Sequence, residues 1–548
     1  MKKLVAILLC VLMCFTAFAG CKGNTDKNLD ADGNVVTDAS KILDISVWDS
    51  GYGTNWIKAL ANQYKSNHSG IAININAKYD QNDFGTTIDS NADANATDIY
   101  FNYAPDYLKY TNKLEDLTAL ANSKAADSET KTIAQKFGEA TMSALTSDGK
   151  VYALCYGSGA TGIVYNAKFF DDYNAGVSDP DLKLNVPRTT KELKDLIILI
   201  KDETEYKGTG TGALAKYPLL HYPGYWQSAA IVWWLQYSGA EEFNKFFQFT
   251  GIKGNDNNVT VLDDSLQSVY QQVGMKKALE ELYAITSPTG NTHPDSNDTS
   301  EGAFSKKQSN FIEQGIALMY PCGGWLETEM EKATGFDISL FNNFKMMRYP
   351  VLSALVEKLS DSTVGDTGLS ELVEYVDKVS AGDTSAVKPD WATDDDVTLV
   401  TNARFAATGQ TASSTVCIPN YSKAKDLAKD FLKFVYSDAG LKLFAETQRN
   451  FMSIDFDDSN VPNTIDKSSW TEFSKSVYEI SGNRITVPQN LNHPIRYRGG
   501  LKEVFSTQPE KSFTADQNAI NATEFLNEEW KEFKKNWESK FYQYVSNN

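Results

Sequence analysis

Two short alternations of apolar and polar residues flank one helical stripe, and this arrangement limits the fold most. Leu43, Ile45 and Val47 alternate with polar residues and predict a strand over 42–48. Gly51-Tyr52-Gly53 marks a turn. Thr54 stands where it can cap a helix whose apolar residues Trp56, Ile57, Leu60, Ala61 and Tyr64 share one face. Ile71, Ile73 and Ile75 then alternate as a second strand. Strand, helix and strand in this succession form a βαβ unit, whose crossover lays the two strands parallel. A further strand is expected at Asp98–Phe101. The expected class is therefore α/β.

Further along, residues 150–165 hold two apolar runs around a glycine-rich break. Thr189 and Glu192 have capping-box spacing, and Leu193, Leu196, Ile197 and Ile200 form the stripe of the helix they open. Residues 217–240 are dense in Tyr and Trp. Residues 286–310 are polar, contain Pro and Gly, and read as a loop. Gly315–Tyr320 reads as a short buried strand running into Pro321-Cys322-Gly323-Gly324-Trp325. Residues 353–400 read as an insertion with one helix near 367–379. Ser422 is placed to cap a helix carrying Ala424, Leu427, Ala428, Phe431, Leu432 and Val435, and a last helix is expected over about 523–545.

The first residues read as an address. Met1-Lys2-Lys3 is basic, Leu4–Phe18 is apolar, and the small pair Ala19-Gly20 precedes Cys21. This is the layout of a secretory signal, too short for a spanning helix. It resembles a bacterial lipoprotein signal, with 1–20 removed and Cys21 lipidated. Residues 21–41 are polar and read as a flexible tether. Asn28, Asp30, Asp32 and Gly33 imitate the start of a calcium loop. Ala39 stands where a bidentate Glu belongs, so no metal is expected.

Composition excludes several functions. The 548 residues carry 52 basic and 71 acidic side chains, a net charge of −19. That balance argues against nucleic acid, which needs clustered Lys and Arg. The four histidines, at 68, 221, 293 and 493, are not spaced as metal ligands. Past Cys21, only Cys155, Cys322 and Cys417 remain, which suits neither a disulfide framework nor a zinc ribbon. Gly157–Gly162 spells a G-x-G-x-x-G pattern. A dinucleotide site needs a helix next, and Ile163-Val164-Tyr165 reads as strand, so the glycines read as a connector between two sheets. Ser158 lacks the first glycine of a nucleophile elbow. Carboxylate pairs for glycoside hydrolysis are inevitable among 71 acids and select nothing by themselves.

Flat aromatic rings with polar neighbours suit pyranose rings, which present one apolar face and a rim of hydroxyls. Taken together, the segments resemble family 1 extracellular solute-binding proteins, the carbohydrate receptors of ABC importers. The resemblance rests on the lipoprotein-like signal, the strand ending in Trp48-Asp49, GKVYALCYGSGATGIVYNAKFFDD (149–172) with VPRTTKELKDL (186–196), GIALMYPCGGW (315–325), and VCIPNYSKAKDLAKDFLKFVYSDAGLKLFAE (416–446). It implies an α/β, two-lobe periplasmic-binding-protein-like fold with three inter-lobe crossings and a central ligand cleft. The lobes would be 41–158 plus 415–451 and 163–410 plus 455–548. It implies no cofactor and no catalysis. The partners would be a carbohydrate and ABC permease subunits, and a monomer would be lipid-anchored on the outer face of the cytoplasmic membrane. Because open sheets bind ligands at the carboxyl ends of their strands, the expected rings are Trp48, Tyr79 and Tyr103, with Asp49, Asp80 and Asn102 as hydrogen-bond partners. Tyr156, Trp226, Trp325 and Arg404 are expected on the facing wall. The alternatives are a receptor for a peptide or polyol phosphate, a lipid-anchored glycoside hydrolase, or an adhesin.

Overall fold

The computed structural model describes residues 28–49, 51–78, 84–85, 88, 97–103, 107–157, 159–210, 214–249, 264–409, 414–449, 465–489, 504–514 and 518–546. The chain begins with β1 (Ile42–Trp48), α1 (Asn55–Asn67), β2 (Ala72–Lys78) and β3 (Ile99–Tyr103). It continues through β4 (Leu154–Cys155), β5 (Thr161–Asn166), α2 (Thr190–Glu203) and β6 (Tyr217–Leu219). The helices α3 (Tyr225–Phe247), α4 (Val273–Thr286) and α5 (Ala303–Ile312) lead to β7 (Ala317–Gly323), α6 (Leu326–Glu331) and β8 (Phe344–Met347). Next come α7 (Gly365–Ser380), α8 (Asp394–Arg404), β9 (Ala406–Gly409) and β10 (Ser414–Cys417). The described chain ends with α9 (Lys425–Val435), α10 (Asp438–Gln448), α11 (Glu472–Gly482), β11 (Ile485–Pro488) and α12 (Ala522–Ser546).

The βαβ expectation holds. β1 lies parallel to β2 in the register Ile42↔Ala72 to Trp48↔Lys78, and parallel to β3 with Ile45 opposite Ile99. The five-stranded sheet runs β2-β1-β3-β10-β4, with β10 antiparallel to both its neighbours. A second sheet runs β8-β5-β7-β6, in which only the β6–β7 pair is parallel. The chain leaves the first sheet at Cys155 and enters the second at Thr161, so the glycine-rich break is a crossing between sheets.

Each sheet has its own core. All five stripe residues of α1 are buried against the first sheet, together with Phe101, Phe431 and Phe444. The second sheet is covered on both faces. Ile163, Tyr165 and Met319 face the tryptophans of α3, while Val164, Tyr320 and Phe344 face Phe311 and Phe473. Successive strand residues point to opposite faces, so Ile163-Val164-Tyr165 serves both layers. Residues 355–405 form a third small core, in which Leu369, Leu372, Val373 and Val376 of α7 meet Val400 and Ala403 of α8.

Several local expectations need correction. The tether expected over 21–41 is folded from residue 28 onward. Leu29 bridges Val35, Val36 is buried, and the Asn28 N–H donates to Asn74 Oδ1 at 3.2 Å. Asp30 closes this turn by accepting from the N–H groups of Asp32 and Asn34, so its carboxylate is engaged by backbone. Residues 286–310 are not merely a loop, since α5 lies partly within them. Its polar look comes from the buried Lys307, Gln308 and Asn310. The Lys307 ammonium donates to the Ser296 carbonyl at 3.0 Å, which is how the lysine tolerates burial. The insertion carries a second helix, α8, opened by a capping box between Thr393 and Asp396. Thr54 stands at the N-cap of α1 without a side-chain cap. Ser422 is not the cap of α9. Ala424 is, and the Ser422 hydroxyl instead donates to Asp98 at 2.6 Å and accepts from the Ala424 N–H. Thr189 does cap α2, but Glu192 reaches back to the Arg188 N–H rather than to Thr189.

Candidate functional site

Where the two sheets meet, turns from both sides bring aromatic rings together. On the first side, Gly51-Tyr52-Gly53 follows β1. On the second, β7 ends in Gly323-Gly324-Trp325, and Tyr225 starts α3. The Tyr52 and Trp325 rings meet edge to face with centroids 6.5 Å apart, and Tyr225 lies 6.5 Å beyond Trp325. Trp325 Nε1 donates to the Tyr225 hydroxyl at 3.4 Å, and Tyr225 stacks on Phe304 at 6.2 Å. Two glycines make the approach possible. A Cβ on Gly51 would come within 2.9 Å of the Trp325 side chain, and one on Gly159 within 2.8 Å of the Tyr52 hydroxyl.

Polar groups surround the rings. Asp49 pairs with Lys332 at 2.8 Å, both side chains being more than a third exposed. Glu329 accepts from Gln308 Nε2 at 2.6 Å. Burial pushes its carboxyl up to about 7, against the opposing pull of the Gln308 hydrogen bond and the Lys332 charge. Gln448 Nε2 donates to the Tyr52 carbonyl at 2.6 Å and holds that turn to the end of α10. Next to it, Arg449 pairs with the buried Glu327, which also accepts from the hydroxyls of Thr471 (2.7 Å) and Ser474. Flat rings beside carboxylates and amides are the group types that suit a sugar's apolar face and its hydroxyls.

The expected residues divide. Trp325 stands half-buried between the two sheets. Trp48 ends β1, Asp49 follows it, and both are half-buried. Asn102 is buried within β3 opposite Thr415, and Tyr103 ends that strand opposite Ser414. Tyr79, Asp80 and Cys21 lie outside the described residues. Two expectations are corrected. Tyr156 is a core ring, 2% exposed and stacked on Trp56 at 5.5 Å, because it follows the edge strand β4 into the first sheet's core, where Phe101 meets it edge-on at 5.3 Å. Trp226 is fully buried and 6.3 Å from Trp233, because rings seven apart on α3 share the face turned to the second sheet. Arg404 ends α8 and forks onto Asp377 with Nε–Oδ1 2.8 Å and Nη2–Oδ2 2.9 Å.

Tyr52, Glu329 and Gln308 escaped the sequence reading, and Tyr225 was legible only as one ring of the aromatic run 217–240. Tyr52 carried a signal, since it sits between two glycines directly after a strand end. Glu329 and Gln308 carried none, being 21 positions apart on separate helices. Among the described residues no cluster suited to a metal ion occurs, and no helix is long and apolar enough to cross a membrane.

Residues 50–291 match the family described as bacterial extracellular solute-binding protein. No curated protein matches the chain. Among solved structures, one from work on xylan utilization by the thermophilic bacterium Caldanaerobius polysaccharolyticus is similar. It has a TM-score of 0.53 at 14% identity, over 90% of this chain and 99% of that one. A chitin oligosaccharide binding protein gives a TM-score of 0.49 at 14% identity, over 90% and 98%. The solute-binding protein RafE in complex with raffinose gives 0.48 at 13% identity, over 90% and 99%. At 14% identity the first of these similarities is one of fold.

Proposed function

We propose, from the premise that the chain belongs over residues 50–291 to the bacterial extracellular solute-binding protein family, that it is a receptor for a sugar or oligosaccharide, which it passes to an ABC-type permease. One observation carries this reading: Tyr52 from the first side and Trp325 with Tyr225 from the second form a single aromatic group between the sheets. Trp48 and Asp49, at the carboxyl end of β1, extend the first wall in this reading, and Asn102, Tyr103, Tyr79 and Asp80 are proposed as ligand contacts with them. The lobes are 41–158 plus 415–451 and 163–410 plus 455–548, and they close on ligand about the crossings. A thermal-shift screen of neutral and acidic oligosaccharides tests the function, because a ligand that binds only the folded state raises the melting temperature. The same ligand should shrink the radius of gyration in solution and be recovered at its original length. Shortened products would favour a glycoside hydrolase, and no shift with any saccharide would overturn the receptor reading.

Trp325 offers the sharpest test of the site. Stacking on a sugar hides roughly 100 Å² of apolar surface, worth about 2.5 kcal/mol. Trp325→Ala should weaken binding by about ten- to a hundredfold in titration calorimetry. Unaltered affinity would remove the ring from the site.

Cys21 is the lipid attachment point in this reading, which places the receptor on the outer face of the cytoplasmic membrane. Cys21 follows the small pair Ala19-Gly20, and stable anchoring there needs more than one acyl chain. Cys21→Ser should move the protein from the membrane fraction to the medium. Retention in the membrane at the same yield would refute the anchor.

A further inference from the structure

Beside the aromatic group, behind Gly159, three arginines from three distant parts of the chain line one narrow crevice. Arg348 follows β8, Arg404 ends α8 and Arg484 precedes β11. The other walls include Thr161, Thr408, Thr486 and Tyr349. The interior measures about 20 Å³. That is room for about one water, or for the end of a small polar group, and not for a ring.

Arg404 leaves a donor unused in the crevice. Asp377 takes Nε and Nη2 of Arg404, whose side chain is 11% exposed. Among the described residues, Nη1 of Arg404 is buried with no hydrogen-bond partner, and so is the Thr408 hydroxyl. Arg348 lies over the Phe405 ring at 4.8 Å, and its Nη2 reaches the Glu479 carbonyl at 3.5 Å. Burial and the neighbouring Arg404 and Arg484 charges push the Arg348 guanidinium down to about 10, while Asp377 and Glu479 oppose this. Such crowding of positive charge in a chain of net charge −19 marks a local field that favours an anion.

The crevice and the aromatic group share a wall. Gly159 lines the crevice, and a Cβ there would also meet the Trp325 ring at 3.2 Å. The Arg484 charge acts on the Tyr52 hydroxyl, opposing the rise that burial imposes on it.

We infer that the crevice lined by Arg348, Arg404 and Arg484 is an oxyanion subsite, and that the ligand is an acidic saccharide whose ring lies on the Tyr52–Trp325 aromatics while one oxygen of its charged group enters the crevice. The inference rests on the receptor reading above and narrows its substrate class. Guanidinium forks and hydroxyls suit both the carboxylate of a uronic acid and a phosphate ester.

Titration calorimetry on the full mature chain separates these cases. The probes are the neutral xylotriose and galactotriose, the acidic glucuronosyl-xylotriose and trigalacturonate, and galactose 1-phosphate. At least one acidic probe should bind about ten- to a hundredfold tighter than its neutral counterpart, the scale of one or two charge-assisted hydrogen bonds. Preference for a uronate or for the phosphate ester would each support the subsite and identify the oxyanion. Arg484→Gln should collapse the acidic-to-neutral ratio toward one. Arg348→Lys, which keeps charge and loses the fork, should reduce it in part. Melting of each ligand-free variant shows whether the fold survives, and the wild-type ratio stands even if a variant does not fold. Neutral probes binding as tightly as acidic ones would overturn the subsite and leave the receptor. Silence of every saccharide, with thermal shifts equally silent, would overturn the receptor reading itself.

Discussion

Trp226→Ala is expected to destabilise the ligand-free protein by about 3–5 kcal/mol, the usual loss on truncating a core tryptophan. The ring is fully buried in the second sheet's core, beside Trp233 and among Ala229, Leu219 and Met319. No described conformational freedom lets neighbours refill such a volume, since α3 is held on both sides. Trp233 Nε1 donates to the Pro350 carbonyl at 3.0 Å, and Trp234 Nε1 to Gln272 at 2.8 Å. Urea unfolding should show the midpoint fall with the slope unchanged. Saccharide affinity should hold wherever the variant remains folded. A loss below about 1 kcal/mol together with weakened sugar binding would return Trp226 to the cleft wall.

Glu510→Gln should raise stability at neutral pH by about 3 kcal/mol, and the gain should vanish in acid. The Glu510 side chain is fully buried, and its Oε1 accepts from the Gly224 N–H at the start of α3. Burial pushes its carboxyl up from 4.5 to about 7, against the hydrogen bonds from the Gly224 and Trp226 N–H groups. Between these two values the folded chain holds a proton that the unfolded chain has released. Stability therefore falls as pH rises from about 4.5 to about 7, and is level above. A shift of that size corresponds to about 3 kcal/mol. Glutamine keeps the carbonyl acceptor and never ionises. Buried His221, pushed down to about 3, acts oppositely, losing stability as pH falls below its usual 6.5. The difference in melting temperature between variant and wild type cancels that contribution. This difference should grow from pH 4.5 to 7 and then level off. A difference independent of pH would show that Glu510 ionises normally.

These two residues also show where sequence reasoning stopped. The density of Tyr and Trp over 217–240 marked α3 correctly, and Trp226 and Trp233, seven apart, share a face. Which layer that face meets depends on the second sheet, whose strands β5, β7 and β8 come from positions 161 to 347. Glu510 had no readable role, because its partner at Gly224 lies 286 residues away. In contrast, α8 could have been read. Thr393 and Asp396 form a capping box three residues apart, before an apolar Val397, Leu399 and Val400. Its first turn, Asp394-Asp395-Asp396, is all acidic, and this concealed the helix start.

By itself the sequence determined whatever depends on near neighbours. The strand over 42–48, the buried stripe of α1, the parallel β1–β2 pair and the passage from one sheet to the other through Gly157–Gly162 all follow from spacings of a few residues. The physical reason is that backbone hydrogen bonding and one-sided burial repeat every two or 3.6 residues, and the chain writes that repeat locally. Only the tertiary structure decided which rings are core and which stand between the sheets. Tyr156 and Trp325 both follow strand ends with glycines close by, yet one stacks on Trp56 and the other meets Tyr52. It alone also gathered Arg348, Arg404 and Arg484 around one crevice. Their approach comes from the packing of β9 beside β11 and of the segment after β8, and packing between distant segments leaves no period in the sequence.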